Sequence, residues 1–167
     1  MFMTIDPGIG GTGVAYWEEE DWKELCCPAA TEILKPRSGA TPWQERSQML
    51  VSELVSGCKG WNVTKIWCEW VLPHGGAGGH AALQRGDIFK LAYFIGSLAS
   101  QFYPRPFLLV TSNQWKGQMP KATVKHRITE LLPLEGLTDV MVSAFTETRM
   151  DHDWDAVGLG LWAKGYL

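Results

Sequence analysis

The chain has 167 residues, of which 46% are hydrophobic and 20% charged, and its formal net charge is −3. This length and composition predict one globular domain over residues 1–167, large enough to bury a core without disulfides or metals. No apolar run reaches the ~18 residues that a membrane span needs, and no secretory signal pattern opens the sequence. These features exclude membrane-protein and secreted classes, so we expect a cytoplasmic protein with no membrane partner.

The first half of the chain predicts three strands, a helix and a fourth strand. An apolar run over residues 1–5 ends at Asp6, and residues 13–17 and 22–27 follow as a second and a weaker third strand. Thr41, Pro42 and Gln44 have the pattern of a capped helix start, with Thr41 as the N-cap, and Gly57 ends that helix. Residues 65–71 are rich in β-branched and aromatic side chains, which predicts the fourth strand.

The second half predicts a loop, one more strand and four helices. The loop contains Gly75, Gly76, Gly78 and Gly79, and we interpret it as a flexible segment over the active site. Residues 83–102 predict one long helix, and residues 106–111 a short buried strand. Further helices are expected over residues 120–132, 140–148 and 152–164. This order of elements predicts an α/β fold, a mixed sheet with helices on its faces.

Acidic residues stand at three positions that are far apart in sequence. Asp6 ends the first strand, Glu69 lies inside an apolar strand, and His152 and Asp155 are three residues apart on one face of the last helix. A carboxylate buried without a partner costs several kcal/mol, so Glu69 needs a partner. Taken singly, each acid is more often a member of an ion pair or solvent-facing. Together, these oxygen and nitrogen ligands are what a Mg²⁺ or Mn²⁺ site requires, provided that the two strands are neighbours.

A basic stripe follows the last predicted strand. Lys116, Lys121, Lys125 and Arg127 occur without an intervening acid. The net charge of −3 does not itself indicate a nucleic-acid partner, but a local group of cations can engage phosphates because distant charges are screened. A solvated helix face is the alternative interpretation.

The ordered set of motifs resembles the RuvC-type family of Holliday junction resolvases over nearly the whole chain. Residues 3–15 (MTIDPGIGGTGVA) are similar to the family's opening motif, and residues 69–71 (EWV) to its second acidic motif. Residues 83–86 (LQRG) resemble its Arg-Gly segment, 119–124 (MPKATV) its lysine-bearing helix start, and 152–156 (HDWDA) its C-terminal motif. One difference is Leu72, at a position where the family often has an aromatic residue that stacks at the junction.

The resemblance implies an RNase H-like fold, a mixed five-stranded sheet flanked by helices, and a homodimer that resolves four-way DNA junctions by paired symmetric nicks. Asp6, Glu69, His152 and Asp155 match the family's ligands for two Mg²⁺ or Mn²⁺ ions. Lys121 matches a catalytic lysine, with Lys116 as a second candidate. The residues expected to contact DNA are Lys116, Lys121, Lys125, Arg127 and Arg85.

Three alternatives stay open at this point. The chain could be a nuclease of broader range on flaps and forks, or a non-catalytic module that binds DNA junctions on the same fold. A binding module gains nothing by gathering negative charge against phosphates, which argues against the second. A phosphotransferase of the actin and sugar-kinase type needs two such domains to enclose a nucleotide, and 167 residues supply one.

Overall fold

Five strands form one mixed sheet in the computed structural model, which describes residues 1–19, 28–36, 42–70, 72, 77–132 and 152–167, with 77–80 as backbone only. The strands are β1 (Phe2–Asp6), β2 (Thr12–Trp17), β3 (Ala30–Leu34), β4 (Lys65–Trp70) and β5 (Phe107–Thr111). Their order across the sheet is β3-β2-β1-β4-β5. The pairs β1–β2 and β2–β3 are antiparallel, whereas β1–β4 and β4–β5 are parallel. The predicted α/β class is therefore confirmed.

Helices cover both faces of the sheet. They are α1 (Trp43–Gly57), α2 (Ala77–Gln84), α3 (Asp87–Phe102), α4 (Ser112–Trp115), α5 (Lys121–Leu131) and α6 (His152–Ala163), with a single 3₁₀ turn at Cys58–Gly60. One core cluster joins the inward residues of α1 and α3 to Met3 and Ile5 of β1. A second joins α5 and α6 to Ala15 and Trp17 of β2. Because side chains alternate along a strand, each face of the sheet contributes to its own core.

Helix α6 lies close against the sheet, as its two glycines predict. A Cβ atom on Gly160 would come within 2.1 Å of the ring of Trp17, and one on Gly158 within 2.6 Å of the ring of Trp115. The hydroxyl of Thr4 on β1 also donates a hydrogen bond to the backbone carbonyl of Ala156, at 2.8 Å. These contacts hold the first turns of α6 at the centre of the sheet.

Two predictions are wrong, that of one long helix over residues 83–102 and that of a glycine loop before it. Gly86 has a φ of 71°, in the left-handed region that a right-handed helix cannot contain, and it separates α2 from α3. Helix α2 begins at Ala77, so Gly78 and Gly79 are helical residues rather than loop residues. Gly75 and Gly76 lie outside the described residues.

Other element boundaries also differ from the expectations. The third strand predicted at 22–27 and the helix predicted at 140–148 lie outside the described residues, while β3 and the short helix α4 had not been predicted. Helix α1 begins at Trp43, with Pro42 as the N-cap and no side-chain capping hydrogen bond. Thr41, the expected cap, lies outside the described residues. Among the described helices, none is long and apolar enough to cross a membrane.

Candidate active site

Asp6 and Glu69 lie side by side at the carboxyl ends of two neighbouring parallel strands. Ile5 of β1 is paired with Cys68 of β4, and in each strand the acid is the next residue. Ile5 and Cys68 belong to the core on the α1 and α3 face, so both carboxylates point to the face that α6 covers. Asp6 is 7% exposed and Glu69 is 4% exposed. The predicted meeting of the two acids at one sheet edge is confirmed.

Helix α6 brings His152 and Asp155 to the same edge. Nδ1 of His152 lies 2.5 Å from Oδ2 of Asp6. The backbone of His152 lies directly against Gly13 of β2, where a Cβ atom would come within 1.9 Å of the His152 carbonyl oxygen. Any larger residue at position 13 would push the helix start away from the sheet, so Gly13 keeps the imidazole within reach of Asp6.

The carboxylate of Glu69 is held by two neutral donors from α4. Nε1 of the Trp115 indole donates to Oε2 of Glu69 at 3.0 Å, and the hydroxyl of Ser112 donates to Oε1. Trp115 is itself 2% exposed and belongs to the core beneath α5 and α6. These hydrogen bonds supply the partners that a buried carboxylate requires, and they fix the direction in which Glu69 points.

Two lysines lie against the acids from the side of α4 and α5. Nζ of Lys116 is 3.7 Å from Oε1 of Glu69 and 3.5 Å from Oδ1 of Asp155. Nζ of Lys121 is 3.7 Å from Oδ2 of Asp155. The side chain of Lys116 is 22% exposed and that of Lys121 is 50% exposed, so Lys121 has the greater access to an approaching anion.

The electrostatics of the site centre on Asp6. Burial raises the pKa of the Asp6 carboxyl from 3.8 to about 6, and the negative charges of Glu69 and Asp155 add to that effect, against the hydrogen bond with His152, which lowers it. The same hydrogen bond raises the pKa of His152 above its ordinary value. Burial, with the nearby Asp6 and Glu69, holds the pKa of the Cys68 thiol well above its usual range. The thiol is therefore protonated in the metal-free protein, and it lies in the core on the α1 and α3 face rather than on the face of the two carboxylates.

The donor set fits a divalent ion in chemistry but is not assembled as a ligand cluster. Asp6, Glu69 and Asp155 offer hard oxygen ligands, and the pKa of Asp6 is raised by burial and by the charges of Glu69 and Asp155, an effect that a bound cation would offset. Within the described part of the chain, however, no three His, Cys, Asp or Glu side chains stand in the arrangement of a metal site. Hydrogen bonds engage the imidazole and the Glu69 carboxylate, so an ion would have to compete with them.

Six of the predicted site residues are brought together: Asp6, Glu69, His152, Asp155, Lys116 and Lys121. The other three expected cations stand apart. Nζ of Lys125 lies 5.8 Å from the ring centroid of Trp154. Arg127 is exposed and lies six residues beyond Lys121 on α5. Six residues are not a whole number of helical turns, so these two side chains leave the helix on different sides. Arg85 is exposed and pairs with Asp87 at 2.8 Å.

The sequence interpretation missed the partners of Glu69. For Trp115 the available signal was that a buried indole N–H usually finds an acceptor. Ser112 carried no signal of its own. The neighbouring acid Asp153 is 2% exposed, and its Oδ1 accepts the backbone N–H of Trp154 at 2.8 Å.

Two solved structures resemble the whole chain. A Thermus thermophilus RuvC structure in complex with Holliday junction substrate superposes with a TM-score of 0.64 at 17% identity, over 99% of this chain and 96% of that one. This chain has a RuvC-like fold. A second Thermus thermophilus RuvC structure gives a TM-score of 0.60 at 18% identity, over 96% of this chain and 92% of the other. No family model and no curated protein matches the sequence. The RuvC-like fold confirms the expected RNase H-like sheet flanked by helices.

Proposed function

We propose that the chain is a metal-dependent, structure-selective DNA endonuclease that resolves four-way junctions by paired symmetric nicks. The observation that carries the proposal is the meeting of three buried carboxylates, Asp6, Glu69 and Asp155, with two lysines at one edge of a RuvC-like sheet. A fold alone does not determine an activity, so the argument depends on this site.

The acidic residues are proposed as ligands for Mg²⁺ or Mn²⁺, with two ions in each site. Asp6, Glu69 and Asp155 would supply oxygen ligands and His152 a nitrogen ligand. Ions bound there would supply Lewis-acid chemistry, lowering the pKa of water and stabilising the leaving 3′ oxygen. The hydrogen bonds from Ser112 and Trp115 orient Glu69 before any ligand binds.

The lysines are proposed to neutralise the site and to bind phosphate. Lys116 lies between Glu69 and Asp155 and reduces the repulsion between these carboxylates. Lys121 contacts the far oxygen of Asp155 and is half exposed, so its ammonium group can also reach a phosphate oxygen. Lys125, Arg127 and Arg85 are proposed to contact the DNA backbone outside the reaction centre, where they would set affinity rather than rate.

A homodimer is proposed because two symmetric nicks need two sites related by a two-fold axis. The apolar stripe of α3 that contains Ile95 and Leu98 is buried within the single chain. Phe89 and Tyr93, four residues apart on one side of the same helix, are 69% and 46% exposed and are the proposed contact. Light scattering should report a dimer for the natural chain and a monomer for Phe89→Ser; a natural chain that stays monomeric with and without DNA would refute this part.

The decisive experiment compares labelled four-way, three-way, flap and linear duplex DNA, each incubated with the protein and Mg²⁺ or Mn²⁺. We expect paired symmetric nicks in the four-way junction. Asp6→Asn, Glu69→Gln and Asp155→Asn should each abolish cleavage while leaving junction binding intact or tighter, because they remove ligands and negative charge. Glu53→Gln, an exposed acid on α1, is the matched control and should cut at the normal rate.

The outcomes separate the proposal from its alternatives. Equal cutting of flaps, forks and four-way junctions would replace the proposal with a broader branched-DNA nuclease. Tight junction binding with no cutting in either metal would indicate a binding module. Substantial cutting by Glu69→Gln would remove Glu69 from the reaction centre.

A further inference from the structure

The indole of Trp115 contacts three different parts of the candidate active site. Its Nε1 donates a hydrogen bond to Oε2 of Glu69 at 3.0 Å. Nζ of Lys116 lies 4.7 Å from the centroid of the same ring. The far edge of the six-membered ring lies against α6, where a Cβ atom on Gly158 would come within 2.6 Å of Cζ3. The indole therefore joins the carboxyl end of β4 to helix α6.

The contact with Gly158 relates the position of Asp155 to that of Glu69. Gly158 follows Asp155 by three residues on α6, so the two are neighbours on one side of the helix, about 4.5 Å apart along its axis. The indole ring is rigid, so the separation between its N–H and its opposite edge is fixed. Glu69 is bound at the N–H, and α6 packs against the edge. The ring therefore acts as a spacer between the Glu69 carboxylate and the helix that presents Asp155.

The spacer and the carboxylate are both held in place. Trp115 is 2% exposed and packs in the core formed with α5 and α6. The hydroxyl of Ser112, at the start of the same short helix α4, donates to the other oxygen of Glu69, Oε1. The start of α4 is itself fixed, since Oε1 of Gln114 accepts the backbone N–H of Thr111 at 2.7 Å. With a donor from α4 on each oxygen, the carboxylate of Glu69 has one preferred orientation.

We propose that Trp115 and Ser112 are positioning residues that set the orientation of Glu69 and its separation from Asp155, and thereby the affinity of the site for a divalent cation. The inference rests on the proposed function, because it takes these two acids as metal ligands. Hydrogen-bond donors that orient a ligand change metal affinity without touching the ion, typically by 10- to 100-fold. Trp115 and Ser112 act through Glu69, so their loss should weaken metal binding even where the fold persists.

Binding of Mn²⁺ in the absence of DNA tests this inference, with free Mn²⁺ measured by its electron paramagnetic resonance signal. Trp115→Phe keeps an aromatic ring without the N–H, and it should raise the Kd for Mn²⁺ by roughly 10- to 100-fold. Ser112→Ala should raise the Kd in the same direction, and Ser112→Thr, which keeps the hydroxyl, should bring it back to within about threefold of the natural value. The control is Trp162→Phe, because that indole packs edge-on against Trp67, and its Kd should match that of the natural chain.

A purely structural role for these residues gives a different result. Circular dichroism during each titration reports whether the variant is folded. A folded Trp115→Phe variant that binds Mn²⁺ with the natural affinity would overturn the inference, even if its free energy of unfolding is lower. If Trp115→Phe does not fold, equal affinities in Ser112→Ala and Ser112→Thr would overturn it instead.

Cleavage of four-way junctions separates this inference from the proposed function. Trp115→Phe should raise the Mn²⁺ concentration that gives the half-maximal rate more than it lowers the rate at saturating Mn²⁺. A lower saturated rate at an unchanged half-maximal concentration would overturn the inference and leave the nuclease proposal standing. If no junction is cut in either metal, the nuclease proposal fails, and the Mn²⁺ affinities alone then decide whether Trp115 and Ser112 position Glu69.

Discussion

Replacing Asp6 with Asn should make the metal-free protein more stable at neutral pH while it abolishes cleavage. Asp6 is buried at the end of β1, and its pKa of about 6 means that the folded protein resists ionisation of this carboxyl. Above pH 6 the carboxylate is nevertheless charged, so its desolvation and its repulsion from Glu69 and Asp155 lower the free energy of unfolding. Asn has nearly the same shape and carries no charge, so Asp6→Asn removes that cost.

The size and the pH dependence of this effect follow from the pKa. A rise from 3.8 in the unfolded chain to about 6 in the folded protein corresponds to about 3 kcal/mol of lost stability at neutral pH. The stabilising effect of protonation is complete below about pH 4 and is lost as the pH rises through 6. Because Asn also weakens the hydrogen bond with His152, we expect a gain of roughly 1–3 kcal/mol at pH 7.5 and almost none at pH 4.

Urea unfolding in EDTA, followed between pH 4 and pH 8, measures this difference directly. The control is Asp87→Asn, because the side chain of Asp87 is 42% exposed and its hydrogen-bonded ion pairs with Lys90 and Arg85 lower its pKa. That variant should not become more stable at any pH. If Asp6→Asn is no more stable than the natural chain at pH 7.5, the burial of the Asp6 carboxylate and its repulsion from Glu69 and Asp155 do not destabilise the fold.

Three further variants test other parts of the site. Lys121→Ala should lower the single-turnover cleavage rate by roughly 10²-fold or more with a smaller loss of junction affinity; loss of affinity at an unchanged rate would make Lys121 a simple phosphate contact. His152→Asp should keep cleavage, raise activity in Mg²⁺ relative to Mn²⁺ and move the acid limb of the pH–rate profile lower, because imidazolium cannot coordinate and the pKa of His152 is raised. An unchanged metal ratio would exclude His152 as a ligand. Trp115→Phe should lower the free energy of unfolding by roughly 1.5–3 kcal/mol through the lost hydrogen bond to Glu69, and the smaller ring should lower it further. Urea unfolding measures this loss, with Trp162→Phe as the control for the change in ring size. Equal losses of unfolding free energy in the two variants would show that the indole N–H of Trp115 contributes nothing.

Features that depend on local periodicity could be predicted from the sequence. The alternation of side chains along β4 places Trp70 in the core on one face and Glu69 on the other, as expected for neighbouring residues of a strand. The spacing of His152 and Asp155 places both near the other acids once α6 lies on the sheet. Asp6 ends β1, and Glu69 lies one residue before the end of β4. Because β1 and β4 are parallel neighbours, the two acids meet at one edge of the sheet.

Features that depend on tertiary contacts could not be predicted in the same way. The pattern of Thr followed three residues later by Gln occurs twice, and the sequence interpretation used the first occurrence, at Thr41. The second, Thr111 with Gln114, begins α4, where Oε1 of Gln114 accepts the backbone N–H of Thr111 at 2.7 Å. Four residues are too few for a periodic signal, so this helix depends on the burial of Trp115 and on its hydrogen bond to Glu69.

The short helix α4 also explains how a buried acidic site can exist in a stable fold before any ligand binds. Three carboxylates stand against two lysines, which leaves one negative charge in excess, and protonation of His152 can remove it. Ser112 and Trp115 add neutral donors to Glu69, so the carboxylate at the centre of the sheet edge is held by hydrogen bonds as well as by charge. Burial raises the pKa of Asp6 and the charges of Glu69 and Asp155 add to that effect, while the hydrogen bond with His152 lowers it. Ionisation of Asp6 at the end of β1 therefore carries a free-energy cost, which a cation bound beside it would lower.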